Sequence, residues 1–330
     1  MPRSFEQLPR DPMPALLAHE NRALNYFVQR DILNKSVPSV ERLWELPEPH
    51  KLVRQQQSDG SWRYPGRNRA RFPETNYDLL QTFKSLGTLV QKYGFDRRHP
   101  AITRAAEYVF SCQTKEGDIR GILGSQYMPY YHGLLVDLLI AAGYADDSRI
   151  HRALDWLVAV RQDDGGWIVP TQAVPAREQT RELWSAPPIP PDRSLPASHL
   201  ATGMALRPLV THPAYREREE TRRAAQLLKS RLLQADAYGA RKAPSYWTKF
   251  QYPFWWTNLV TALDLLSLLG FSAGEPQIRD SLAWFVAHQE DNGLWRTGYE
   301  QAKRAQPTFK EADTMAWVGL AVCRILKRLS

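Results

Sequence analysis

Residues suited to acid–base and cation chemistry stand where the chain's apolar segments begin. Tyr77 and Asp78 lie at the head of NYDLLQTF, and Tyr130, Tyr131 and His132 open YYHGLLVDLL. His199 opens HLATGMALRPLV, Trp255, Trp256 and Asn258 precede LVTALDLLSLLG, and Glu311 and Asp313 precede MAWVGLAVCRIL. Asp313, His132 and Asp78 are the candidate catalytic groups. A carboxyl lining an apolar cavity keeps its proton to higher pH and can then donate it, and a histidine can take one back. Tyr77, Tyr130, Tyr131, His199, Trp255, Trp256, Asn258 and Glu311 are candidate substrate-binding residues. Aromatic π faces stabilise a carbocation, although two neighbours in sequence cannot both face one cavity. Each type also has a structural use. Asp313 and Asp78 can cap helix N-termini, with Thr75 and Asn76 competing at the latter, while buried histidines can be hydrogen-bonded and aromatics can fill a core. His132, His199 and Asp313 would together make a two-His, one-carboxylate metal set. They sit on separate segments, so spacing lends that set no support, and neither metal nor cofactor is expected.

The elements that must position these groups alternate. SVERLWELPEPHKLVRQQ, HPAITRAAEYVFSCQ, DSRIHRALDWLVAVRQ and EPQIRDSLAWFVAHQ carry apolar residues at helical spacing with polar residues opposite, the pattern of surface helices. Pro100 and Pro276 stand where a first helical turn tolerates proline. The segments holding the candidate groups are apolar nearly all round, as helices buried on both sides must be. Gly94, Gly143 and Gly270 close three of them as C-terminal caps. PALLAHENRALNYFVQRDIL is expected to supply a sixth inner helix. About six inner and five to six outer helices, in repeats of about fifty residues, predict an all-α chain closed into an α/α toroid. All inner helices then run parallel and their N-termini frame one mouth. The expected organisation is a single domain over 1–330, with an N-terminal tail at 1–12.

Between outer and inner helices recur Gln56, Gly60 and Trp62; Gln289, Gly293 and Trp295; and Gln162, Gly166 and Trp167, one residue tighter. Gln113 and Gly117 form a copy with Ile119 in place of Trp, and QADAYGARKAPSYW is a degenerate one. These read as structural clamps. They resemble the QW motifs of the squalene-hopene cyclase and protein prenyltransferase superfamily, from about Val53 to Arg328, and the pattern is similar to that of its single-toroid prokaryotic members. The resemblance implies an α/α toroid with a hydrophobic central cavity for isoprenoid chains. Against the Asp-x-Asp-Asp acid motif of class II cyclases the chain has Lys310-Glu311-Ala312-Asp313-Thr314, with Ala312 where the proton-donating aspartate would stand. It also lacks the Asp, Cys and His zinc trio of the prenyltransferases and an Asp-rich magnesium-diphosphate motif.

The remaining features narrow the field. The net charge of +8 is dispersed and interleaved with acids, as in YREREETRRAAQLLKSR, which reads as a solvated helix face and not a nucleic-acid patch. Two cysteines build no disulfide framework, the N-terminus is not a signal peptide, and no apolar run spans a bilayer; a cytoplasmic protein with at most peripheral membrane contact is expected. The proline-rich stretch 170–196 is long for a compact fold and reads as a lid, with Trp184 over the mouth. The function expected is an isoprenoid cyclase, isomerase or hydratase acting on a hydrophobic small molecule with Asp313 as acid. The alternatives are a non-catalytic lipid- or protein-binding toroid and a carbohydrate-active α/α toroid enzyme.

Overall fold

The computed structural model describes Phe5 and residues 7–67, 73–299 and 308–330, so residues 1–4 and 6 of the expected tail lie outside the described residues. Among these residues the helices in chain order are α1 (Met13–Ala18), α2 (Arg22–Phe27), α3 (Pro47–Arg54), α4 (Tyr77–Gly87), α5 (Pro100–Ser111), α6 (Pro129–Leu139) and α7 (Ser148–Ala159). There follow α8 (Pro170–Ala173), α9 (His199–Thr211), α10 (Pro213–Arg216), α11 (Glu219–Ser230), α12 (Leu259–Leu268), α13 (Pro276–Ala287) and α14 (Phe309–Leu329). Strands are absent among the described residues; there are isolated bridges, such as Gln56 with Trp62 and Gln113 with Ile119.

Amphipathic α3, α5, α7, α11 and α13 alternate with α4, α6, α9, α12 and α14, and the fold is all-α, of the α/α toroid class. The second set is apolar because it has no wet side. In α6 every residue but Tyr131 is buried, and in α9 every residue but Leu200 and Thr211. Gly94, Gly143 and Gly270 end their segments at φ of +61°, +94° and +76°, a region glycine enters without steric cost. Pro100 and Pro276 begin α5 and α13.

Two expected helices are broken. The opening segment splits into α1 and α2 because His19 is extended and Asn21 caps α2, accepting from the N–H groups of Ala23 and Leu24. α2 then runs on through a π-helical turn at Val28–Ile32. The first outer helix is reduced to α3 after a 3₁₀ turn at Val40–Leu43, since Pro47 forces Leu46 into an extended conformation.

The chain divides into two compact units. The central unit comprises Val40–Leu227 and Ala237–Gly239; the terminal unit comprises Met1–Ser39, Leu228–Asp236 and Ala240–Ser330. In the central unit α6 packs on α9. A Cβ at Gly133 would lie 2.5 Å from the Met204 carbonyl oxygen, so only glycine permits that approach. Asp137 and Arg207 form a buried ion pair across the same interface at 3.2 Å. In the terminal unit the start of the chain closes on its end. Asn21 donates to Asp313 Oδ1 (2.8 Å), Arg324 Nε to Asp31 Oδ2 (2.9 Å), and Gln289 Nε2 to the Arg10 carbonyl (2.9 Å).

The Gln–Gly–Trp turns show why those residue types recur. Gln56 Nε2 donates to the carbonyls of Gly60 (2.9 Å) and Ala101 (2.8 Å), tying the end of one outer helix to the start of the next. Gln113 does the same to Gly117 and Arg149. Gly60 has φ of +91°, and a Cβ there would meet the Arg104 carbonyl oxygen at 2.2 Å. The tryptophan is buried beneath, and its Nε1–H donates to the carbonyl ten residues upstream: Trp62 to Leu52, Trp167 to Leu157, Trp295 to Phe285. These bonds correct the register of the third copy. Gln162 N–H donates to the Gly166 carbonyl as Gln57 N–H does to Ser61, and the positive-φ glycine is Gly165. Arg161, not Gln162, therefore occupies the position of Gln56, and the turn is not tighter. Gln162 Nε2 instead holds the carbonyls of Asp192 and Leu195.

Candidate functional site

Each candidate residue has a defined place. In the central unit Asn76, not Asp78, caps α4, accepting from Leu79 N–H (2.9 Å), while Asp78 Oδ1 accepts from Tyr64 N–H (2.7 Å). Tyr77 stacks obliquely on Tyr64 (5.0 Å), and Tyr131 meets Phe83 edge-on (5.6 Å) beside Tyr130. His199 is the buried first residue of α9, behind the Ser198 cap.

His132 is part of the frame. Ile119 N–H donates to its Nδ1 (2.9 Å), which leaves Nε2–H to donate to the Ala153 carbonyl (3.0 Å). Thr82 and Thr202 accept the backbone N–H of Trp62 and Trp167 in the same way. His132 thus replaces a threonine latch in the repeat whose tryptophan is Ile119. With both nitrogens engaged inside the protein it is not placed to act as base or metal ligand. Burial pushes its pKa down to about 4 from 6.5. Between those values the unfolded chain binds the extra proton. The stability conferred by neutral His132 is therefore complete above pH 6.5 and lost as pH falls through 4, a change of about 3 kcal/mol. Urea unfolding midpoints at pH 7 and 4.5 should separate more for the native protein than for His132→Thr; equal separations would refute the assignment.

The proline-rich stretch is fastened and not loose. Ser125 N–H donates to the Trp184 carbonyl (2.8 Å), Gln126 Nε2 to those of Leu183 (2.6 Å) and Ala186 (3.1 Å), and Ile189 N–H to Gln126 Oε1 (3.0 Å). Arg181 pairs with Glu74 at 3.8 Å. It therefore straps the segments that lead into α4 and α6, and Trp184 is half-buried.

In the terminal unit, a cavity of about 270 Å³ opens at the N-terminus of α14, lined in part by Phe250, Gln251, Tyr299, Thr308, Lys310 and Glu311. Phe250 N–H donates to the Thr297 carbonyl (2.8 Å), which aligns the two wall segments. Trp256 Nε1–H and the Asn258 amide both donate to the Lys249 carbonyl (3.2 Å each) and brace the first wall from behind. Trp256 also meets Tyr299 edge-on at 6.0 Å. Asn258 caps α12 in a reciprocal pair with Thr261, and Trp255 is half-buried. Thr308 caps α14, accepting from Glu311 N–H, so the capping role open to Asp313 is taken five residues earlier.

Glu311 and Asp313 diverge. Two positions along a helix turn a side chain by about 200°, and Asp313 accordingly binds Asn21 and is not among the cavity residues. Glu311 faces the cavity. Three of these lining residues, Glu311, Tyr299 and Gln251, each carry a polar atom (Oε1, Oη and Nε2) that is shut off from solvent and has no hydrogen-bond partner among the described residues. Burial pushes the Tyr299 pKa up to about 12, so its phenol keeps a proton to donate. Sequence reasoning missed Phe250, Gln251 and Tyr299. Among the described residues, no group of His, Cys, Asp and Glu could hold a metal ion, and no helix is long and apolar enough to cross a membrane.

Residues 82–183 match the family described as squalene-hopene cyclase C-terminal domain, a stretch that includes the turns at Gln113 and Gln162. Over that stretch the sequence is similar to terpenoid cyclases. A variant of the type II terpene cyclase MstE from Scytonema, in complex with its substrate geranylgeranyl dihydroxybenzoate, is 12% identical; 96% of this chain and 85% of that one are covered, with a TM-score of 0.45. A polysaccharide lyase is 12% identical over 92% of this chain and 86% of that one, with a TM-score of 0.49. A protein from Actinoplanes is 17% identical over 88% and 98%, with a TM-score of 0.31. No curated protein matches by sequence.

Proposed function

We propose that the protein is an isoprenoid-handling enzyme, a cyclase, isomerase or hydratase, in which Glu311 takes the acid role at the cavity that opens α14. The observation that carries this reading is a carboxyl oxygen of Glu311, buried and unpartnered among the described residues, beside a cavity lined in part by Phe250 and Tyr299. A buried polar atom left unpaired costs about 1–3 kcal/mol, a cost that a bound partner recovers. As the acid, the Glu311 carboxyl would give a proton to a carbon–carbon double bond: its O–H bond breaks, the π pair forms the new C–H bond, and a carbocation results. The aromatic faces stabilise that cation until the carboxylate takes back a proton, either from a neighbouring carbon or from the oxonium formed when water adds. The terpenoid-cyclase-like sequence of residues 82–183 supports the substrate class.

The test is incubation of the protein with ten- to thirty-carbon isoprenoid hydrocarbons, alcohols and diphosphates, followed by gas chromatography with mass detection. A rearranged, cyclised or hydrated product is expected. Recovery of every compound unchanged would overturn the enzymatic reading, and a compound retained by the protein without conversion would make it a binder.

A further inference from the structure

The proline-rich stretch is fastened by polar contacts alone. We propose that residues 174–191 form a hinged cover over the loop at the heads of α4 and α6, and that it lifts as one piece when a single side chain, Gln126, releases it. The whole arrangement lies within the central unit. From Gln172 to Pro196 none of the residues whose burial is described is buried, so the stretch has no apolar anchor. Its two ends are fixed. Pro170 and Thr171 are buried in α8, and beyond the cover Gln162 Nε2 holds the Asp192 carbonyl (2.5 Å) while Ala197 N–H donates to Asp164 Oδ2 (2.8 Å). Between those ends, among the described residues, its hydrogen bonds to the body all go to Ser125 and Gln126. Of Pro187, Pro188, Ile189, Pro190 and Pro191 only Ile189 carries an N–H, and that N–H goes to Gln126 Oε1 (3.0 Å). Gln126 Nε2 in return takes the carbonyls of Leu183 (2.6 Å), Ala186 (3.1 Å) and Pro187 (3.3 Å). The Arg181–Glu74 pair adds little, because solvent reaches Arg181. With the cover lifted, water can take the place of each partner, so no polar group is left buried and unpaired; few buried apolar contacts and solvent-replaceable bonds are what make a segment open before the rest of a fold. The run of prolines fixes its φ angles and stiffens it against opening piecemeal. Beneath it, a Cβ at Gly124 would lie 2.2 Å from the Trp184 carbonyl oxygen, and Gly124 is bridged to Gly121, whose carbonyl accepts from Asn76 N–H at the cap of α4 (2.8 Å). The same loop runs on into Pro129 at the start of α6.

The experiment is native-state hydrogen exchange on the full chain, with trypsin cleavage after Arg181 as a second readout. The N–H groups of Ser125, bound to the Trp184 carbonyl, and of Ile189 are expected to exchange at one common rate, at least about 100-fold faster than the interior amides of α6. Gln126→Leu removes the clasp, in which each net hydrogen bond is worth about a fivefold factor, so Ser125 exchange and cleavage after Arg181 should both rise by at least about tenfold. Gly124→Ala leaves every bond of Gln126 in place but presses on the Trp184 carbonyl, and it should speed exchange at Ile189, on the far side of the clasp. Thermal melts confirm that both variants fold. Unequal rates at Ser125 and Ile189, exchange of both as slow as the interior of α6, or a Gly124→Ala protein in which Ser125 alone exchanges faster, each overturns the proposal.

Discussion

Replacing Glu311 with Gln is expected to lower turnover by about 100-fold or more, because proton transfer from a positioned side chain contributes roughly 10²–10⁴. The substitution keeps the shape of the side chain and its place on α14 and removes the acidic proton that starts the reaction. Substrate affinity should change far less, since the amide matches the carboxyl in size and shape. Asp313→Asn is the comparison. Asp313 binds Asn21 across α14 from the cavity, and an asparagine carbonyl can accept from the same amide, so turnover should fall only slightly. Initial rates for the two variants decide between the carboxyls. A larger loss in Asp313→Asn than in Glu311→Gln would return the acid role to Asp313.

The second large effect concerns the frame. Trp167→Ala should destabilise the protein by about 3–5 kcal/mol, the range for truncating a buried aromatic. Trp167 is fully buried, its indole N–H holds the Leu157 carbonyl, and its backbone N–H is held by Thr202. Truncation therefore empties a large volume and leaves the Leu157 carbonyl at the end of α7 without its donor. Urea unfolding should shift accordingly, whereas a shift below about 1 kcal/mol, as for an ordinary surface change, would show that the turn does not depend on the ring.

The same turns mark how far the sequence is legible. The alternation of outer and inner helices, the prolines at their starts and the glycines at their ends follow from local rules, and each is present. Gln56, Gln113 and Gln289 recur because each must reach two carbonyls at once, a need fixed within a few residues. The third copy misleads because two glutamine-like positions adjoin. Only the bond from Gln162 N–H to Gly166 shows that Arg161 holds the corner, and that pairing is not written in spacing. His132 misleads for another reason. A histidine at the head of an apolar helix suits catalysis and latching equally, and what separates them is the position of the Ile119 N–H, thirteen residues away.

The candidate site was half visible. Glu311 was among the residues expected near substrate, but the acid was sought at Asp313. Helical rotation alone puts the two on different faces, and it takes the Thr308 cap and the contact with Asn21 to say which face is which. Phe250, Gln251 and Tyr299 lie outside the periodic helices, in segments joined through the bond from Phe250 to Thr297. Nothing in the string FQYPFWW singles out one polar residue among its aromatics as a wall of a cavity.

The most direct measurement is a crystal structure of the protein grown with a ten-carbon isoprenoid. Ligand density in the cavity at the start of α14, with a carbon–carbon double bond within about 3.5 Å of the Glu311 carboxyl, is the predicted result. Density bound elsewhere with this cavity empty, or a ligand whose double bonds all point away from Glu311, would contradict the account.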